Sequence, residues 1–114
     1  MIGIFYGTRP EYIKVLPVVR ALYDRDIDYE LIQIRQHTDL IKDCEFDRTF
    51  RVYQGDVNRL NNIFHTALDM DLKRYKHVVV QGDTSTAAAV ALSAFNQGVS
   101  VMHVEAGLRT YVRS

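Results

Sequence analysis

Five short apolar runs punctuate the chain, at residues 2–6, 29–34, 49–53, 77–81 and 100–104, and helical patterns separate most of them. Runs this short, rich in Val, Ile, Tyr and Phe, suit buried strands, and strands joined through helices require parallel crossovers. The pattern predicts an α/β domain built on a doubly wound parallel sheet of about five strands. A first helix is expected over 10–24, with Ile13, Leu16, Val19 and Leu22 near one face and Pro17 bending it where a backbone bond is missing. A short, weak helical segment falls at 38–44. The strongest amphipathic pattern, Leu60, Ile63, Phe64, Ala67 and Leu68, predicts a helix over 57–70 with Asp56 as its cap. A last helix over 85–96 sets Ala87, Val90, Ala91 and Ala94 on one face, small enough to pack close to the sheet, and Gly98 ends it.

With 114 residues and no internal repeat, low-complexity stretch or Pro/Gly/Ser linker, one core is expected. Lysine plus arginine (14) balance aspartate plus glutamate (14), so any cationic site must be local, and neither nucleic acid nor a membrane surface is an expected partner. Cys44 has no second cysteine to pair with, and Asp43 and Glu45 beside it disfavour a thiolate, which makes it a structural residue suited to a reducing cytoplasm. No apolar run approaches the roughly 18 to 20 residues of a membrane span, and no signal-peptide pattern precedes Glu11. A soluble cytoplasmic protein is the expectation.

Ligands of open parallel sheets sit beyond the carboxyl ends of the strands where strand order reverses, between strands one and four for the common order 3-2-1-4-5. Three loops would meet there: Gly7-Thr8-Arg9-Pro10-Glu11, Gln81-Gly82-Asp83-Thr84-Ser85-Thr86, and the segment from His103 through Glu105-Ala106-Gly107 to Thr110. In the first, Pro10 suits an opening helical turn, the orphan N–H groups of that turn favour an anion, and Arg9 with Lys14 adds positive charge. A cation ahead of a helix N-terminus gains nothing from the helix dipole, so an anionic ligand explains Arg9 better than decoration does. Asp83 fits a turn or helix-capping carboxylate as well as a functional one. Glu105 directly follows an apolar strand, where partial desolvation raises a carboxyl pKa toward the range useful for acid or base work. The Thr84-Ser85-Thr86 run is a helix cap that could also donate to a ligand. Neither Gly-x-Gly-x-x-Gly nor a P-loop occurs, His37, His65, His77 and His103 have no metal-ligand spacing, and Ser85 has no histidine near it in sequence.

Together the three loops, with Ile13-Lys14 after the first and Gln36-His37 after the second strand, resemble the non-hydrolysing UDP-N-acetylglucosamine 2-epimerases, in the same order and at similar separations. The resemblance implies a two-domain, glycosyltransferase-B type enzyme with its site between two Rossmann-like domains, of which residues 1–114 would be part of the N-terminal one. It implies inversion at C2 of UDP-N-acetylglucosamine to give UDP-N-acetylmannosamine, by elimination of UDP to a 2-acetamidoglucal and re-addition, with no cofactor or metal. Arg9 and Lys14 would then contact the diphosphate, with Gly7 and Thr84 beside it as further substrate contacts, and Asp83 and Glu105 would serve proton transfer at the sugar. The family continues past Arg109-Thr110 into a Pro-Glu-Glu segment and a nucleotide-binding second domain, whereas this sequence stops at Ser114. It is therefore expected to be incomplete as an epimerase. The alternative is a non-catalytic nucleotide-sugar-binding or regulatory module that pairs with a full-length epimerase. The apolar strand at 100–104 would form an exposed sheet edge, which invites pairing, so a homo-oligomer or a complementing C-terminal polypeptide is expected.

Overall fold

The computed structural model describes residues 1–35 and 43–104. In chain order the elements are β1 (Ile2–Tyr6), α1 (Arg9–Asp24), β2 (Tyr29–Arg35), β3 (Arg48–Arg51), α2 (Arg59–Leu68), β4 (His77–Gln81), α3 (Ser85–Asn96) and β5 (Ser100–Val104). All strand pairs are parallel, in the order β3-β2-β1-β4-β5 that the sequence suggested. The weak helix expected at 38–44 falls mostly outside the described residues, as do Gln36-His37 and everything from Glu105 onward.

Strand order reverses at β1, and right-handed crossovers then place helices on both faces. Alternation along the strands divides the core accordingly. Ile4, Tyr6, Leu31 and Val79 meet Tyr12 and Val15 of α1 on one face. Phe5, Ile32, Ile34, Val78 and Val80 meet Ile63 and Ala67 of α2 and Ala87, Val90 and Ala94 of α3 on the other.

Several local expectations are corrected. The α1 face against the sheet is Tyr12, Val15, Leu16, Val19 and Leu22; Ile13 is 50 % exposed. The tilted Tyr6–Tyr12 ring pair, 5.1 Å between centroids, rotates the helix so that position 12 rather than 13 faces inward. Asn58, not Asp56, caps α2: its side-chain oxygen accepts from Leu60 and Asn61 N–H. Asp56 instead holds the approach, accepting from Asn58 N–H at 2.7 Å while its own N–H and carbonyl engage the Asn62 side chain. Within α2, Leu60 and Leu68 are exposed, so the buried stripe reduces to Asn62, Ile63 and Ala67, with Phe64 packed beside it. At the end of α3, Gly98 takes φ +73°, and the bonds Val99 N–H to Ala94 O and Gly98 N–H to Phe95 O close the helix in a Schellman arrangement that a Cβ would strain.

At the end of the sheet remote from the strand carboxyl termini, Tyr75 donates to Glu30 Oε1 at 2.6 Å, and Arg48 and Arg74 flank the carboxylate at 3.1 and 3.4 Å. The Tyr75 hydrogen bond, helped by the two arginines against the cost of burial, holds the Glu30 carboxyl below its usual range. Burial first, and the Glu30 carboxylate next to it, push the Tyr75 hydroxyl up. A carboxyl lowered in the folded state stabilises the fold above its unfolded pKa and loses that stability as pH falls through the folded value. Tyr75→Phe should therefore cost about 1–2 kcal/mol at neutral pH, shrinking as the pH drops below about 4, which urea titrations across pH would read. A cost that does not change with pH would contradict this.

Candidate functional site

The loop after β1 is organised by α1's own cap. Thr8 Oγ1 accepts the Glu11 N–H at 3.3 Å, Thr8 O accepts the Tyr12 N–H at 3.1 Å, and the Glu11 carboxylate reaches back to accept the Gly7 N–H at 2.6 Å. This is a capping-box arrangement, with the acid folded back onto the residue before the cap. It narrows the orphan N–H groups of the first turn that an anion could use. Pro10 has none, and those of Gly7, Glu11 and Tyr12 are consumed by the cap, leaving Thr8 and Arg9 N–H outside its bonds. Arg9 and Lys14 are exposed and, among the described residues, form no ion pair.

The β4 loop is tied to β5. Gly82 N–H donates to Val104 O at 2.9 Å, and the His103 ring N–H donates to the Gly82 carbonyl. Asp83 lies exposed in the turn that follows. Thr84 caps α3, accepting the Ala87 N–H at 3.2 Å. The structure therefore gives Thr84 the cap role that its sequence allowed.

The first two loops meet where strand order reverses. A Cβ on Gly7 would stand 3.0 Å from Thr86 Oγ1, 3.1 Å from its methyl and 3.3 Å from Ile34 O, so the end of β1 lies against the buried first turn of α3. Gly7, the Arg9 loop, Thr84 and the Asp83 turn thus share the carboxyl edge of β1 and β4. Lys14 lies farther along α1, on its exposed side, and Glu105 lies outside the described residues.

A second segment, 43–47, also packs against this region. Tyr6 donates to Glu45 O at 2.6 Å and accepts from the buried Gln33 amide at 3.0 Å, and burial pushes the Tyr6 hydroxyl up to about 12. Burial likewise raises the Cys44 thiol, partly offset by the positive charge of Arg9. That keeps Cys44 a thiol at neutral pH. The cavity of about 460 Å³ under this segment is lined by Leu16, Val19, Leu31, Cys44 and Glu45, and none of Gly7, Arg9, Asp83 or Thr84 lines it. Among the described residues, no group of three or more His, Cys, Asp or Glu could hold a metal, and no helix is long and apolar enough to cross a membrane.

Sequence reasoning placed Glu11 and Thr86 in the converging loops but missed that both are buried, Glu11 bonded back to Gly7 N–H and Thr86 against Gly7. The Thr8-x-x-Glu11 spacing was a signal that could have revealed the first, being the sequence signature of a capping box.

Residues 57–114 match the family model described as UDP-N-acetylglucosamine 2-epimerase. Among curated proteins, the chain is 34 % identical over 119 residues to the UDP-N-acetylglucosamine 2-epimerase of Campylobacter jejuni, covering 95 % of this chain and 31 % of the relative. It is 35 % identical over 124 residues to that of Methanocaldococcus jannaschii, covering 99 % and 34 %. Among solved structures, the Neisseria meningitidis UDP-GlcNAc 2-epimerase bound to UDP-GlcNAc superposes with a TM-score of 0.77 at 31 % identity, covering 97 % of this chain and 33 % of that one. The chain spans about a third of the length of the relatives it matches.

Proposed function

The chain belongs to the UDP-N-acetylglucosamine 2-epimerase family, and we propose that residues 1–114 are part of the N-terminal Rossmann-like domain of an enzyme interconverting UDP-N-acetylglucosamine and UDP-N-acetylmannosamine. The supporting observation is the meeting of the Arg9 loop with the first turn of α3 at the point of strand reversal, where α/β sheets bind their ligands.

In the proposed reaction a carboxylate takes the C2 proton of the sugar, the electron pair forms a C1–C2 double bond, and the C1–O bond to UDP breaks. Return of UDP to C1 with a proton on the opposite face of C2 gives the epimer. Arg9 and Lys14 are assigned to the diphosphate, whose negative charge grows as it departs, with Gly7 and Thr84 lining its position. Asp83 and Glu105 are assigned to proton transfer. The uridine contacts and a second, nucleotide-binding domain are assigned to the two thirds of the relatives' length that this chain does not span.

Among the described residues β5 is an edge of the sheet, with Met102 54 % exposed, and this supports a further part of the proposal: another strand pairs there, from a complementing polypeptide or a second copy. Light scattering showing a soluble monomer at high concentration would argue against the second copy. A cytoplasmic setting is proposed from the unpaired Cys44, which suits a reducing compartment.

Arg9→Ala tests the anion assignment. Losing a charge-assisted contact of about 1.5–3 kcal/mol should weaken UDP binding about 10- to 100-fold in an NMR titration. Unchanged affinity in a folded variant would remove Arg9 from the site.

A further inference from the structure

We infer that Glu11 is a positioning residue, holding Arg9 in the conformation that meets the anionic ligand. The inference rests on the proposed function. Arg9 is the first helical residue of α1 and directly precedes Pro10, whose ring disfavours helical backbone in the residue before it. Something must hold Arg9 against that bias. Both bonds of the capping box span Arg9–Pro10: Glu11 N–H donates to Thr8 Oγ1, and Gly7 N–H donates to the Glu11 carboxylate. Gly7 in turn packs tightly against Thr86 and Ile34 O, where a Cβ would sit only 3.0–3.3 Å from them, so the loop is held against α3.

Glu11 is also unlike an ordinary surface cap. It is only 4 % exposed, and its second carboxylate oxygen, Oε2, is buried without a hydrogen-bond partner. A buried carboxylate with one oxygen unsatisfied is costly to the fold, and such groups call for an explanation beyond stability. Setting the direction of Arg9 supplies one. Without the clamp, the Arg9 backbone relaxes toward the extended region that Pro10 favours, and the guanidinium leaves the place where it meets a diphosphate.

The test is a titration of the 114-residue chain with UDP, following the Gly7 and Arg9 amide signals. Glu11→Ala should weaken binding about tenfold, equivalent to about 1.4 kcal/mol. Glu11→Gln, whose amide oxygen still accepts from Gly7 N–H, should restore affinity close to the parent's. Tyr75→Phe serves as the destabilised control, because it removes a hydrogen bond at the other end of the sheet, and it should leave UDP affinity unchanged. If Glu11→Ala binds as the parent does, or if Tyr75→Phe loses as much affinity, the positioning role is overturned while the proposed function stands. If UDP perturbs neither Gly7 nor Arg9 in the parent, the anion site itself is overturned, and this inference with it.

Discussion

Glutamine in place of Glu105 is expected to lower turnover by about 10²- to 10⁴-fold, the contribution of a positioned acid or base to a proton-transfer step. The measurement uses a chimaera in which residues 1–114 replace the matching third of one of the relatives, so that the second domain is supplied. The exchange is close in shape but cannot take a proton, as the carboxylate proposed to act at C2 has to. Asp83→Asn provides the comparison. If both carboxylates act in proton transfer, each variant should lose turnover far more than it loses UDP affinity, because neither is assigned to the diphosphate. The cation variant Arg9→Ala should behave differently, losing affinity as well. A chimaera whose Glu105→Gln form turns over like its parent would remove Glu105 from the chemistry.

The largest effect on stability is expected from Phe5→Ala, at about 3–5 kcal/mol. Phe5 is 2 % exposed, at the centre of the larger core face. Its ring stands edge-on to Tyr75, 5.9 Å between centroids and 87° between planes. Truncation removes that pair and leaves a cavity enclosed by residues from β2, β4 and both helices of that face, which cannot all move in to fill it. Against a total of about 5–15 kcal/mol for an ordinary domain, the loss takes a large share. Urea unfolding should show a lower midpoint with little change in slope, and a loss below about 1 kcal/mol would mean that this face is not packed as described.

What could be read in the sequence follows physical lines. β1, β4 and β5 were placed residue for residue, because each is a short apolar run followed directly by a turn or charged residue, Gly7, Gly82 and Glu105. The third strand was shifted: 49–53 was expected, but Arg48–Arg51 pairs with β2. Its arginine ends are exposed and its centre half-buried, so the alternation that marks a strand is faint. In α1 the apolar positions Ile13 and Tyr12 competed, and only the Tyr6–Tyr12 packing decides between them. Sequence periodicity carries no information about which neighbour waits on the sheet.

The site divides the same way. The convergence of the Gly7 and Asp83 loops followed from strand order, which crossover rules make legible. The burial of Glu11 did not, because a charged residue in a first helical turn reads as a solvated complement to the helix dipole. Its carboxylate is bonded to Gly7, which itself lies against Thr86 of α3, a contact between residues 79 apart in sequence.

The most direct test of the central claim is a proton NMR time course of the chimaera with UDP-N-acetylglucosamine in heavy water, following the C2 proton and the anomeric signals. Loss of the C2 proton with growth of the manno anomeric signal is the predicted result. A folded chimaera that binds UDP yet leaves the C2 proton and both anomeric signals unchanged would contradict the account.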